Sequence, residues 1–506
     1  MVVPAGTNSP VWGWALPNQE VSVTLGEQTV SARADKDGKW KLALKNLVPD
    51  NQPLTLTVKS GDKTITCNNV LVGDVWLGSG QSNMEFPVDE TLDAKKHLAK
   101  ADCPTIRLFK ICIRGGDEPL DDIQGSNNRQ WFICTPENVA KFGATLYYFG
   151  REIQDKIKTP VGLVLCAAGG SAIEPFLSRE GIESTLELAD LYQSIRWRDR
   201  RWGDFSNDAA VNVDKIEAWA REVRKARDEK RDPPRFPNFG TGGALQLPRG
   251  VTRTFNGCIS PITPFAIRGV VWYQGEGNEQ EEDSYAFKMK ALVNGWRQCW
   301  NRPDLPFYYI QLANFTEPDD RPEGVNSHGY GKIRMGQLKA LPELPHAGMA
   351  VTVDITDGDL HPKNKQEIGQ RLSLWALKNE YGLKGLVPSG PLFKAMRIEG
   401  RKAIISFDYA ETGLMVGEKN DFEPVKEIKD GKLTRFAIAG ADRKWYWADT
   451  KIKGGEVLVS CKDVPEPVAV RYAFSMNPRG CNLYNKAGLP ASPFRTDRWP
   501  LPWWGR

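Results

Sequence analysis

The sequence predicts an α/β protein in which a three-layer domain with a parallel sheet is flanked on its N- and C-terminal sides by antiparallel β domains. Three observations carry this. Short apolar runs suited to buried strands alternate with helical periodicity through the middle of the chain, while apolar-polar alternation precedes that region and returns after it. At 506 residues the chain is also long for one hydrophobic core, so two or three domains are expected.

In the first part, Val21, Val23 and Leu25, then Trp40, Leu42 and Leu44, then Leu54, Leu56 and Val58 alternate with polar residues. Asp37-Gly38 and Gly61-Asp62 supply turns, so residues 1–69 are read as an N-terminal β domain. From residue 70 to 386 the texture is that of the α/β domain. Val161 to Cys166, Gly269 to Tyr273, Phe307 to Leu312 and Met349 to Val353 are continuous apolar runs, expected of parallel strands covered on both faces. Helical spacing follows in Leu146, Phe149, Ile153 and Ile157, in Tyr285, Met289, Leu292, Val293 and Trp296, and in Ile368, Leu372 and Trp375. Residues 183–245 interrupt this domain as a charged insertion, with a helix predicted from about Asp208 to Lys230. Beyond Pro388, alternation at Phe436 and Ile438, Val457 and Val459, and Val468, Val470 and Tyr472 predicts a C-terminal β-rich domain over 387–506.

Composition excludes some classes of function. No apolar run approaches the roughly 18 residues a membrane span needs, so no span is predicted. The 67 Lys and Arg against 63 Asp and Glu leave a small net charge spread along the chain, which does not imply nucleic acid. The basic-aromatic stretch Arg196 to Trp202 is read as a solvated surface loop. Nine cysteines include no Cys-x-x-Cys pair, so a zinc ribbon is not supported, and the odd number leaves at least one thiol free or paired between chains. Met1-Val2-Val3-Pro4 shows no basic segment followed by an apolar stretch, so no signal peptide is visible.

The chemistry concentrates in four segments. Val75 to Ser79 is a strand running into Gly80-Gln81-Ser82-Asn83-Met84, a turn that presents a serine at the carboxyl edge of the sheet, where α/β proteins bind ligands. Met84 replaces the second glycine of a Gly-x-Ser-x-Gly elbow, and no phosphate-binding loop is present. Ser79 and Ser171 are the rival serines. A serine needs a base, and only His97, His328, His346 and His361 exist. His361 follows a buried strand and precedes an amphipathic helix, with Asp354, Asp357 and Asp359 just before it; a carboxylate there can fix one ring nitrogen as donor and leave the other to accept a proton. Cys166-Ala167-Ala168-Gly169-Gly170-Ser171 ends a strand with two glycines whose N–H groups could approach a ligand. Trp272-Tyr273-Gln274-Gly275-Glu276-Gly277-Asn278 ends another with an unusual concentration of polar side chains.

Together these segments resemble the SGNH (GDSL-like) hydrolase superfamily and, within it, the sialate O-acetylesterase family and related acetyl xylan esterases. Gly80 to Met84 resembles the nucleophile block, Gly169-Gly170 the glycine block, Trp272 to Glu276 the third block and His361-Pro362-Lys363-Asn364-Lys365 the histidine block. Pro10 to Ala15, Ala439 to Arg443 and Asn482 to Lys486 extend the likeness over nearly the whole chain, residues 183–245 excepted. The resemblance implies Ser82 as nucleophile and His361 as base. It implies an oxyanion hole of the Ser82 N–H, the Gly170 N–H and the Gln274 amide, each of the last two worth about 3 kcal/mol. It also implies substrate contacts from Gln81, Asn83, Trp272 and Glu276. The superfamily often places its acid three residues before the histidine, and Gly358 stands there. Asp359 is therefore expected to orient His361, with Asp357 and Glu276 as alternatives.

The implied reaction removes acetyl groups from carbohydrate through an acetyl-serine and requires no metal or other cofactor. The bulky Trp272 and Tyr273 predict preference for short acyl chains. An acetyl xylan esterase is the alternative within the class, and an inactive carbohydrate-binding protein the alternative outside it. The likeness further implies a periplasmic or secreted enzyme, trimmed at its N-terminus.

Overall fold

A computed structural model describes residues 1–6, 8–123, 130–229, 231–234, 250–324, 329–355, 358–420 and 422–501, with the side chains of 197–213 and 215 left out. The N-terminal strands are β1 (Val2–Pro4), β2 (Ser9–Trp14), β3 (Glu20–Leu25), β4 (Gln28–Arg33), β5 (Lys39–Leu44) and β6 (Asp50–Ser60), leading into the long β7 (Lys63–Gly80). Their period of two is visible in burial: Val21, Val23, Leu25, Trp40, Leu42 and Leu44 face a core of their own, closed by Leu56, Val70 and Val72.

β7 belongs to two structures at once. Its first half pairs antiparallel with β6, as at Val58 with Ile65. Its second half is the central strand of the parallel sheet. The change comes beside Asn69, whose φ of 57° is left-handed and whose neighbourhood is a register irregularity in the β6–β7 pairing. The division expected between residues 69 and 70 thus falls inside one continuous strand.

The remaining strands of that sheet are β8 (Cys103–Lys110), β9 (Phe132–Cys134), β10 (Val161–Ala167), β11 (Gly269–Tyr273), β12 (Phe307–Ile310) and β13 (Ala347–Ala350). Their order is β13-β12-β11-β7-β10-β8-β9, parallel except for the edge strand β9. Adjacent strand residues point to opposite faces, and each face finds a helical layer. Trp76 and Tyr308 pack on Phe149 and Trp375, from helices Ala144–Ile157 and Lys365–Asn379. Trp272 and Phe307 pack on Trp296, from helix Asp283–Cys299. The predicted three layers are present.

The insertion differs from its reading. A helix spans Ala189–Asp228, so it begins well before Asp208 and takes in the Arg196 to Trp202 stretch that was expected to be a loop. Its first turns are anchored by the buried Ile195, but its charged composition offers little apolar periodicity to read. Helix Gly329–Ala340, rich in glycine, also went unpredicted.

Among the described residues beyond Pro388, three small antiparallel sheets follow, two of four strands and one of three. Leu392, Ile405, Phe436, Val470 and Phe494 share one contiguous core with the α/β domain. Arg334, fully buried, clamps the junction by donating to Leu312 O and Ser475 O, each at 2.8 Å, and to Met476 O at 3.2 Å. Among the described residues, no helix is long and apolar enough to cross a membrane.

Gly80 ends β7 at φ 136°, and a Cβ there would lie 2.1 Å from Tyr273 O in β11. Gly80→Ala is expected to cost ~3 kcal/mol or more of stability, through a left-handed backbone and displacement of β11. Urea unfolding checks this; an unchanged midpoint would contradict the close approach.

Candidate active site

β7 lies between β10 and β11 where the winding of the sheet reverses, which leaves a crevice at the carboxyl ends of these strands. The Gly80 to Met84 turn enters it. Gln81 fixes the turn by donating its N–H to Tyr273 O at 3.0 Å and accepting the Gly277 N–H on Oε1 at 3.2 Å. Ser82 then opens the short helix Ser82–Glu85 and is half-buried. His361 comes from the loop after β13, just ahead of helix Lys365–Asn379, which Asn364 caps by accepting the Glu367 N–H at 3.1 Å. Across 279 residues of sequence, His361 Nε2 and Ser82 Oγ meet at 2.8 Å.

The environment favours a neutral imidazole. Burial lowers the His361 pKa and the Lys365 charge lowers it further, while Asp359 and Glu90 act the other way. The ring stacks on Phe86 at 5.9 Å between centroids, which fixes its plane. A neutral ring hydrogen-bonded to a hydroxyl can take its proton. Ser79 is disqualified by its own bond, donating from a buried Oγ to Cys166 O at 2.6 Å. Ser171 is buried as well. His97 packs against Tyr148 away from the crevice, and His346 precedes β13; His328 lies outside the described residues.

The three candidate acids fare differently. Asp359 is exposed; its Oδ1 accepts the His361 backbone N–H at 3.0 Å, and its charge acts on the ring. Glu276 sits in the same crevice, yet Oε1 accepts from Asn83 Nδ2, and burial raises its pKa. Asp357 lies outside the described residues.

Asn83 gathers three of the four segments. Its Nδ2 donates to Glu276 and to Leu360 O at 3.0 Å, and its Oδ1 accepts from Lys365 Nζ. Lys365 is fully buried, with its ammonium 4.9 Å from the Phe86 ring centre and 5.2 Å from that of Tyr273. One amide therefore bonds both a buried ammonium and one oxygen of a partly buried carboxylate, whose Oε2 stays without a hydrogen bond among the described residues, and it holds the backbone beside His361. Lys365 stood in the histidine block of the sequence, but its role depends on Asn83 and could not be read from spacing.

The glycine segment also approaches Ser82. A Cβ on Gly169 would sit 3.7 Å from Ser82 Cβ, and the Gly169 N–H donates to Glu85 Oε2 at 3.2 Å. Gly170 is exposed at φ 66° with nothing within 4 Å of a Cβ position. Gln274 is buried and held by its surroundings: Oε1 accepts from Tyr285 at 2.9 Å, while Nε2 donates to Asn278 Oδ1 at 2.9 Å and to Ser171 O at 3.3 Å.

Two expectations require correction. Trp272 cannot touch a substrate or limit an acyl chain, because it is fully buried on the far face of β11 against Phe176 and Trp296; Tyr273, the next residue, faces Lys365. Gln81 and Asn83, expected at the substrate, are buried and bonded to protein groups that hold the crevice together.

A serine-histidine pair at the switch point of a parallel sheet, between helical layers and β appendages, defines an esterase of SGNH type. Residues 248–376 match the family described as carbohydrate esterase, sialic acid-specific acetylesterase. A carbohydrate acetylesterase from Xanthomonas citri superposes with a TM-score of 0.79 at 31% identity, over 98% of this chain and 97% of its own. Sialate O-acetylesterase of Rattus norvegicus is 27% identical over 526 residues, 96% of this chain and 90% of that protein. The Homo sapiens protein of that name is 26% identical over 535 residues, covering 97% and 89%. The chain belongs to this family of carbohydrate O-acetylesterases, which are carboxylic-ester hydrolases.

Asn83→Ala would remove one hydrogen bond each from Lys365, Glu276 and Leu360 O. It is expected to cost ~2–4 kcal/mol of stability and at least about tenfold in turnover, because His361 loses its positioning. Urea unfolding and kinetics on an aryl acetate check both; unchanged turnover would show that the junction does not position the histidine.

Proposed function

We propose that this chain is a sialate O-acetylesterase in which Ser82 attacks the acetyl carbonyl of an esterified sugar. His361 takes the serine proton, passes it to the departing sugar hydroxyl, and then activates water against the acetyl-serine. The observation that carries this reading is the 2.8 Å contact between Ser82 Oγ and His361 Nε2. The sugar preference rests on nearly full-length likeness to mammalian proteins named sialate O-acetylesterase. Charge building on the carbonyl oxygen would meet the N–H groups of Ser82 and Gly170, and the Gln274 amide once it exchanges its bond to Ser171. Asp359 is the acid we favour for His361, since its charge acts directly on the ring, whereas Glu276 is engaged by Asn83. Asp357 stays an alternative. Location in a periplasm or outside the cell is part of the same proposal and rests on the family likeness alone.

Ser82→Ala is expected to fold and to lose at least three powers of ten in turnover on an aryl acetate. Retention of a tenth of the activity would remove Ser82 from its role. Acetate release from O-acetylated sialic acids, acetylated xylan and acetylated monosaccharides should be fastest with the first. Fastest release from xylan would reassign the enzyme to acetyl xylan esterases with the same machinery. Among Asp359→Asn, Asp357→Asn and Glu276→Gln, the first should lower turnover most, with folding checked separately.

The pH profile tests the base. His361 must be neutral to act, and its pKa is lowered, so the acid limb of kcat/KM should fall below the ordinary histidine range. Lys365→Met removes a charge that lowers this pKa and should move the limb upward; a shift downward would exclude His361 as the titrating group.

A further inference from the structure

The N-terminal β domain carries an aromatic surface that the ester chemistry does not use. β2 pairs antiparallel with β5, placing Trp12 opposite Lys41, Gly13 opposite Trp40 and Trp14 opposite Lys39. Residues two apart in a strand share a face, so both indoles of β2 lie on one side. Trp40 projects from the other side into the β core, and a Cβ on Gly13 would meet its ring at 3.0 Å. Trp14 is 50% exposed, an unusual state for the largest apolar side chain. Trp12 is half-buried, tilted against Phe265 with ring centres 6.3 Å apart.

Trp12 and Trp14, with an edge of Trp40, line an open cleft of about 370 Å³ between the β domain and the α/β domain, with Asp35, Lys39, Asp121 and Pro261 among its other walls. Lys39 Nζ and Asp121 Oδ2 pair at 2.6 Å across the domain junction, both well exposed. The cleft shares no residue with the Gly80 to Phe86, Ala167 to Ser171, Gln274 to Asn278 or Gly358 to Lys365 segments of the catalytic crevice.

We propose that this cleft is a second carbohydrate-binding site, in which a sugar ring stacks on Trp14 and Trp12 while Lys39 and Asp121 hydrogen-bond its hydroxyls. A pyranose has an apolar C–H face and a polar rim. Flat indoles beside an ammonium and a carboxylate match both, and an ion pair open to solvent can exchange one contact for a hydroxyl at little cost. A protein partner fits less well. Two indoles offer about 150–250 Å² each, far short of the roughly 1,200 Å² of a stable interface. The volume suits one or two sugar rings. The inference rests on the chain's action on carbohydrate esters. It adds a site that would retain an oligomeric or polymeric substrate on the protein apart from the serine.

The test uses the full chain in affinity gel electrophoresis, with O-acetylated mucin in one gel and acetylated xylan in another, beside an aryl acetate assay. The parent and Ser82→Ala should be retarded by at least one glycan. Trp14→Ala should lose most of that retardation, about tenfold in apparent affinity, while its kcat/KM on the aryl acetate stays within twofold of the parent's. Lys39→Met should weaken retardation without touching an aromatic ring. Trp14 is half-exposed, so its removal opens no core, and a preserved aryl acetate activity reports the fold. No retardation of the parent by either glycan, or equal retardation of Trp14→Ala, would overturn the second site. Loss of esterase activity on every acetylated sugar would instead overturn the enzymatic reading, and is seen separately.

Discussion

β7 cannot be moved without moving everything else that matters in this protein. Its residues from Asp74 to Gly80 run in unbroken parallel register with Val161 to Ala167 of β10, and those from Trp76 to Gly80 with Gly269 to Tyr273 of β11. Three strand ends are thereby brought level, and the Gly80 to Met84 turn, the glycine segment and the Gln274 to Asn278 segment all leave the sheet at one height. The absence of a side chain at Gly80 lets β7 approach β11 closely there, so the turn begins against Tyr273 instead of above it. Sheet register, a property of backbone hydrogen bonds and apolar burial, thus sets the place of Ser82 before any catalytic contact is made.

What the sheet cannot supply is the fourth segment, because His361 comes from a loop after the edge strand β13. Here a polar junction does the positioning. Asn83 uses both ends of its amide at once, on Lys365, on Glu276 and on the backbone of Leu360. Burying an ammonium is costly unless its bonds are made, so the bond from Lys365 to Asn83 and that from Asn83 to Leu360 O tie the His361 loop to the Ser82 turn. The same Lys365 then biases His361 toward its neutral form. Burial of the ring is the larger cause of that bias, and the Lys365 charge adds to it.

The readable parts of the sequence were those where burial imposes a simple pattern. β10, β11, β12 and β13 are covered on both faces and appear as apolar runs, and the helices Ala144–Ile157, Asp283–Cys299 and Lys365–Asn379 show a clear stripe. β8 was missed because Pro104 and Arg107 break its pattern. Arg107 is nevertheless buried, since its guanidinium donates to Pro104 O and to Asn69. Helix Gly329–Ala340 carries three glycines that argue against a helix, and its buried face includes polar Arg334 and Gln337, whose partners lie on other elements. In the site, scarcity of histidine made His361 legible and a strand-turn pattern made Ser82 legible. Trp272 misled because a strand end was treated as facing one way, when adjacent residues face opposite layers. Asn83 and Lys365 were seen but not understood, for each has meaning only through the other across 282 residues.

The double membership of β7 also bears on why a β domain precedes the esterase domain at all. A strand shared by two sheets cannot hinge freely, because rotation about Asn69 would break either its pairing with β6 or that with β10 and β11. Arg107 of β8 reinforces the joint by holding both the carbonyl and the side chain of Asn69. Any ligand held on the Trp12 and Trp14 face is therefore held at a fixed position relative to Ser82, unlike one carried by a module on a flexible linker, where the loss of freedom on binding must be met each time. A rigid second site favours substrates whose length matches one particular span and gives nothing to shorter ones.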